Sequence, residues 1–103
     1  MKISKQWINS KTNSLFEAIL FLKNLDEARS FFRDLLTEEE IKEFANRWLV
    51  AQMLTQKIPY SNIEKETGMS STTIARISKW LNKGLDGYKL LLNRINFHHH
   101  RHK

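Results

Sequence analysis

The stretch Pro59-Tyr60-Ser61-Asn62-Ile63-Glu64-Lys65-Glu66-Thr67-Gly68-Met69-Ser70-Ser71-Thr72-Thr73-Ile74-Ala75-Arg76-Ile77-Ser78-Lys79-Trp80-Leu81-Asn82-Lys83-Gly84 decides the fold. Pro59 stops any helix that precedes it, because it has no amide hydrogen and its ring clashes with the preceding turn. Ser61 and Glu64 have the spacing of a capping box, so a short helix is expected to open there. It closes at Gly68. A helix that halts after two turns and restarts at once needs a corner residue that tolerates positive φ, and glycine has no Cβ to clash. Ser70 or Ser71 then caps a second helix reaching about Asn82, in which Ile74, Ile77 and Leu81 recur at three- and four-residue steps and face inward. Ile63 and Thr67 before the corner, Gly68 and Met69 within it, and Ile74 and Ile77 after it fall where two helices need internal contacts. This is the pattern of a helix-turn-helix over residues 60–82.

The outer face of the second helix is Ser70, Ser71, Thr72, Thr73, Ala75, Arg76, Lys79 and Lys83. Hydroxyls and a small methyl approach base edges and thymine methyls closely. Arg76 reaches guanine or phosphate through its fork, and Lys79 and Lys83 neutralise phosphates. No acid occurs between Thr67 and Asp86. A merely solvated face would alternate signs, so the pattern points to double-stranded DNA. Glu64 departs from it: many such motifs carry a small residue there, and the carboxylate must bend outward.

Working outward, the upstream chain is also helical. Leu15, Ile19 and Leu22, flanked by Phe16 and Leu20, have helical spacing from Ser14, and Asn24 or Asp26 breaks and restarts the helix. Phe31, Phe32, Leu35 and Leu36 give the next helix an apolar face too wide to leave in water, so a second copy of the chain is expected to cover it. Thr37-Glu38-Glu39-Glu40 is a capping box that opens a long helix, apolar nearly all round through Ile41, Phe44, Ala45, Trp48, Leu49, Val50, Met53 and Leu54. Downstream, Asp86 caps a last helix carrying Tyr88, Leu91, Leu92 and Ile95. Residues 1–13 read as an N-terminal arm, 14–96 as one helical DNA-binding domain, and 97–103 as a basic, His-rich tail. The fold class is all-α.

Composition narrows the function. The 103 residues suffice for one modest core, which a chain of this size often completes by pairing. The net charge of +6 is lopsided: residues 1–56 balance eight Lys/Arg against eight Asp/Glu, whereas 57–103 carry nine against three. That half should face a polyanion. There is no cysteine, hence no disulfide framework or thiol chemistry, which suits a cytoplasmic protein. Neither an export signal nor a membrane-spanning run is legible. No catalytic constellation occurs, so no enzyme is expected. Glu38, Glu39, Glu40 and Glu43 complement the dipole of the helix they open. His98, His99, His100 and His102 lack the fixed geometry of a metal site, so neither metal nor cofactor is expected. Trp48 and Trp80 read as packing residues.

Leu35-Leu36-Thr37-Glu38-Glu39-Glu40, Asn46-Arg47-Trp48, Ile63 through Thr73-Ile74-Ala75-Arg76, Trp80-Leu81-Asn82-Lys83-Gly84 and Gly87-Tyr88 together resemble the tryptophan-repressor superfamily, and within it a small uncharacterised repressor-like branch. The similarity runs from about Leu15 to Ile95. It implies a six-helix tryptophan-repressor-like fold, an intertwined homodimer, and two reading heads on a palindromic operator: a sequence-specific regulator of transcription, a repressor. In the tryptophan-responsive members an arginine from each side clamps the ligand. The resemblance places Arg47 and Arg76 at those positions and Thr37 at a pocket-lining threonine. Ile77, however, replaces a glycine and Trp80 a serine, so the five residues are expected to form a filled, vestigial pocket that binds no tryptophan. The residues neither require nor exclude another small-molecule effector. Two other readings stay open: a protein-interaction module built on a helical dimer core, and a replication-initiator-like DNA-binding head.

Overall fold

A computed structural model describes residues 5–101, with side chains described through residue 96. Its elements are six helices: α1 (Ser10–Ile19), α2 (Leu25–Leu35), α3 (Glu38–Thr55), α4 (Tyr60–Thr67), α5 (Ser71–Lys83) and α6 (Gly87–Arg101). No strand occurs among the described residues, and no helix there is long and apolar enough to cross a membrane. The chain divides into two compact units, residues 1–42 and 43–103.

In the first unit, α1 opens earlier than its apolar periodicity suggests. Asn9 accepts from the amides of Lys11 and Thr12, and the Thr12 hydroxyl accepts from the Asn9 amide, a reciprocal cap that starts the helix inside the expected arm. Asn24 caps α2 through the Glu27 amide. The expected box at Thr37 is present: its hydroxyl accepts from the Glu40 amide at 3.1 Å, and the Glu40 carboxylate accepts from the Thr37 amide at 2.9 Å. Neither α1 nor α2 has a buried residue. Leu20, Phe21 and Leu25 are 83%, 81% and 64% exposed in the single chain.

The second unit holds the core. Val50, Ala51, Ile63, Ile74 and Ile77 are fully buried and Met53 nearly so, and Leu49, Leu54, Ile58, Met69 and Tyr88 pack against them. The side of α3 that enters this core is therefore Val50, Ala51 and Met53, while Phe44 and Ala45 of the expected stripe are exposed. The α3–α4 corner is a Schellman turn: Ile58 donates to the Met53 carbonyl and Lys57 to that of Leu54, with Lys57 at φ 60. α4 packs on α5 and α5 on α6.

The expected capping box at Ser61 does not form. Pro59 is the N-cap of α4 and has no side-chain cap bond; its carbonyl accepts from Asn62 and Ile63, which puts Ser61 already inside the helix. Asp86 stands before α6 in the left-handed region, φ 65, and its backbone carbonyl accepts from Leu90. α6 continues to Arg101, into the expected tail. The histidine side chains of that tail lie outside the described residues.

Candidate nucleic-acid interface

The corner between α4 and α5 is built from both sides. Gly68 sits at φ 71 with its amide on the Glu64 carbonyl. The Thr67 hydroxyl donates to the Ile63 carbonyl at 2.7 Å and accepts from the Met69 amide at 3.2 Å, so one side chain closes the end of α4 and starts the connection. Met69 is partly buried on the core. Ser70 then caps α5 by accepting from the Thr73 amide.

This corner fixes which way α5 faces. Ile74, Ile77 and Leu81 are buried; the opposite side of the helix leaves Thr72, Ala75, Arg76, Lys79 and Lys83 exposed, Ser70 and Ser71 are exposed at its start, and Thr73 is half-buried. The three ion pairs among the described residues, Arg29–Asp26, Arg33–Glu38 and Arg47–Glu43, leave Arg76, Lys79 and Lys83 uncompensated. An uncompensated basic stripe on a convex helical surface attracts an anion, and its spacing along a helix suits a phosphate backbone flanking a groove. Glu64 is exposed, as its position requires.

Each of the five residues expected at a vestigial pocket has its own surroundings in the single chain. Ile77 is part of the core. Arg47 donates to the Glu43 carboxylate at 3.1 Å and lies 5.8 Å above the Phe44 ring. The Thr37 hydroxyl serves the cap of α3. Arg76 faces outward on α5. Trp80 is not a core residue of this unit: 42% of it is exposed in the single chain. Its carbonyl holds the Gly84 amide at the end of α5.

One contact escapes a reading of the sequence. Trp48 of α3 stacks on Tyr88 of α6, centroids 6.3 Å apart and planes 21° from parallel. Burial raises the Tyr88 pKa above its ordinary value, and the nearby Arg47 charge opposes that rise. No spacing rule links positions so distant in sequence. The Glu43–Arg47 pair, by contrast, has the four-residue separation of a helical ion pair and was within reach.

Comparison with known proteins agrees with this geometry. The family model for Trp repressor protein matches residues 10–96. An uncharacterized protein of Bacillus subtilis, YerC, is 46% identical over 83 residues, spanning 81% of this chain and 80% of that protein. The crystal structure of a TrpR-like protein from Eubacterium eligens superposes with a TM-score of 0.86 at 40% identity, covering 90% of this chain and 96% of the other. That of a candidate Trp repressor from Staphylococcus aureus gives 0.83, also at 40% identity and the same coverage.

Proposed function

The chain belongs to the Trp repressor family, and from that premise we propose that it is a DNA-binding transcriptional regulator that acts in the cytoplasm as a homodimer on a palindromic operator and represses it. One observation carries the reading: beyond the left-handed corner at Gly68, α5 buries Ile74, Ile77 and Leu81 and turns an acid-free, uncompensated basic surface outward. Thr72, Ala75, Arg76 and Lys79 enter the major groove, Ser71 stands at its margin, and Lys83 meets the backbone. The exposure of Leu20, Phe21 and Leu25 supports the homodimer, because a second copy would remove that apolar surface from water.

The regulator does not respond to tryptophan. Ile77 stands where the tryptophan-responsive members have a glycine, and its fully buried side chain takes up space that the ligand's indole would need. Calorimetry with free tryptophan is expected to give no heat of binding.

Selection of duplexes from a random pool, followed by titration in rising salt, tests the reading. A palindromic consensus with half-sites about one helical turn apart is expected. Affinity should fall steeply with salt, and Lys83→Ala, acting once in each protomer, should lower the log–log slope of the dimer by about 1.8 while weakening all sequences alike. Salt-independent capture of a protein, with no selected duplex, would support the interaction-module reading instead.

A further inference from the structure

The hydroxyls of α5 are not equivalent. Those of Ser70 and Thr73 lie 3.1 Å apart, hydrogen-bonded to each other, and the Ser70 oxygen also accepts from the Thr73 amide at 3.2 Å. A hydroxyl with one proton and two lone pairs that already serves its own helix cap has little left to present to a base edge. Thr73 is half-buried as well. Ser71 precedes the buried Ile74 by three residues, so it shares that residue's side of the helix rather than the centre of the outer face.

What remains is a single stripe. Thr72, Ala75, Arg76 and Lys79 stand at i, i+3, i+4 and i+7, all exposed, opposite Ile74, Ile77 and Leu81. Thr72 carries a γ-methyl, and the Cβ of Ala75 is itself a methyl; this spacing puts the two Cβ atoms roughly 5–6 Å apart. In the major groove thymine alone bears a methyl, so an apolar pair on the axis of the reading face selects for it. Arg76, the next residue on the stripe, has no ion pair among the described residues, so its fork is free for the O6 and N7 acceptors of a guanine. Lys79 adds a point charge without a directional preference.

We propose that each half-site contains a thymine whose 5-methyl packs on Thr72 and Ala75, beside a guanine held by Arg76, and that Ser70 and Thr73 position α5 without choosing sequence. This rests on the DNA-binding reading above, and the test separates the two.

The probe is a duplex selected from a random pool by the full chain. Thymines are replaced one at a time by deoxyuridine, and guanines by 7-deazaguanine, which lacks the N7 acceptor. One thymine in each half-site is expected to lose about fourfold in affinity without its methyl, the worth of a small apolar group left wet. Thr72→Ser and Ala75→Gly should each shrink that loss, and Arg76→Ala should erase the 7-deaza penalty at the neighbouring base. Ser70→Ala and Thr73→Val should lower the thermal midpoint and weaken binding to all sequences while leaving both penalties in place. Far-UV circular dichroism establishes that each variant remains helical. Indifference to every thymine methyl, or a methyl penalty that survives intact in both Thr72→Ser and Ala75→Gly, overturns the assignment alone. So does a new consensus selected by Ser70→Ala. Failure to select any duplex overturns the DNA-binding reading and this assignment with it.

Discussion

The amide of Ile58 donates to the carbonyl of Met53 at 3.1 Å, which closes α3 with the long bond of a Schellman turn and leaves Lys57 at its left-handed corner. Ile58 then folds back onto the core. Glycine is the residue this corner favours, because a Cβ in the left-handed region clashes with the following carbonyl. Lys57→Gly should stabilise the chain by about 0.5–1 kcal/mol, the relieved strain less the extra chain entropy of glycine. A thermal midpoint that falls would show that the lysine makes a contribution the corner geometry does not contain.

Two glycines should resist substitution for different reasons. Gly68 has open space around a Cβ but sits at φ 71, so Gly68→Ala should cost about 1–2 kcal/mol through the backbone alone. At Gly84 a Cβ would run into the Trp80 carbonyl, the acceptor of the Gly84 amide itself. Gly84→Ala must therefore open the last turn of α5, at a cost of about 1–3 kcal/mol. Gly87, unobstructed, is the control, and Gly87→Ala should not destabilise. Urea midpoints of the three variants give the ranking directly.

The core of the second unit joins the end of α3 to both helices of the candidate interface, so its integrity and the aim of α5 are one property. Ile77→Ala removes a fully buried side chain and should cost about 2–5 kcal/mol; Ile77→Val should cost only about 0.5–1.5. Duplex affinity should fall with the same ranking, since a loosened α5 must be re-ordered on binding. An Ile77→Ala chain that loses stability but keeps full affinity would separate the core from the reading face.

The sequence was most legible where local chemistry is sufficient. Gly68 at its corner, a serine cap at Ser70 or Ser71, the Thr37–Glu40 box and the buried set Ile63, Ile74, Ile77 follow from turn chemistry and a 3.6-residue period; the structure has each of them, with Ser70 as the cap. It was less legible where neighbours decide. α3 is apolar nearly all round, so periodicity could not choose the Val50–Ala51–Met53 side over the one bearing Phe44. Ser61 and Glu64 match a capping box, but Pro59, with its fixed φ and extended ψ, takes the N-cap first. Trp80 reads as a packing residue and is 42% exposed in the single chain, because an apolar side chain beside a core residue need not share its face.

The Thr37–Glu40 box makes stability depend on acid in a defined direction. The hydrogen bond from the Thr37 amide, and then that from its hydroxyl, hold the Glu40 carboxyl below its ordinary value of 4.5, with desolvation opposing them slightly. A carboxylate depressed in the folded state favours folding at pH above its unfolded value, and that contribution disappears as pH falls through the lower, folded value. Urea midpoints of the wild type and Glu40→Gln should therefore differ most near neutrality and converge as pH falls through that lowered value. A gap that widens on acidification would show that the box is not the source.

The first unit should depend on a second copy of the chain. Leu20 and Phe21, at the end of α1, are more than four-fifths exposed, and Leu25 opens α2 nearly two-thirds exposed. Burying such a side chain fully gains about 1.5–3 kcal/mol. In a symmetric pair each substitution acts twice, so Phe21→Ser should weaken self-association by about two to four orders of magnitude. Sedimentation velocity of the full chain should then give a dimer for the wild type and a monomer for the variant at micromolar concentration. The near-UV dichroism of the Trp48–Tyr88 stack should persist, since that contact lies wholly within the second unit. A wild-type chain that sediments as a monomer, or a Phe21→Ser chain that associates unchanged, would mean that this face is covered by something other than its own copy.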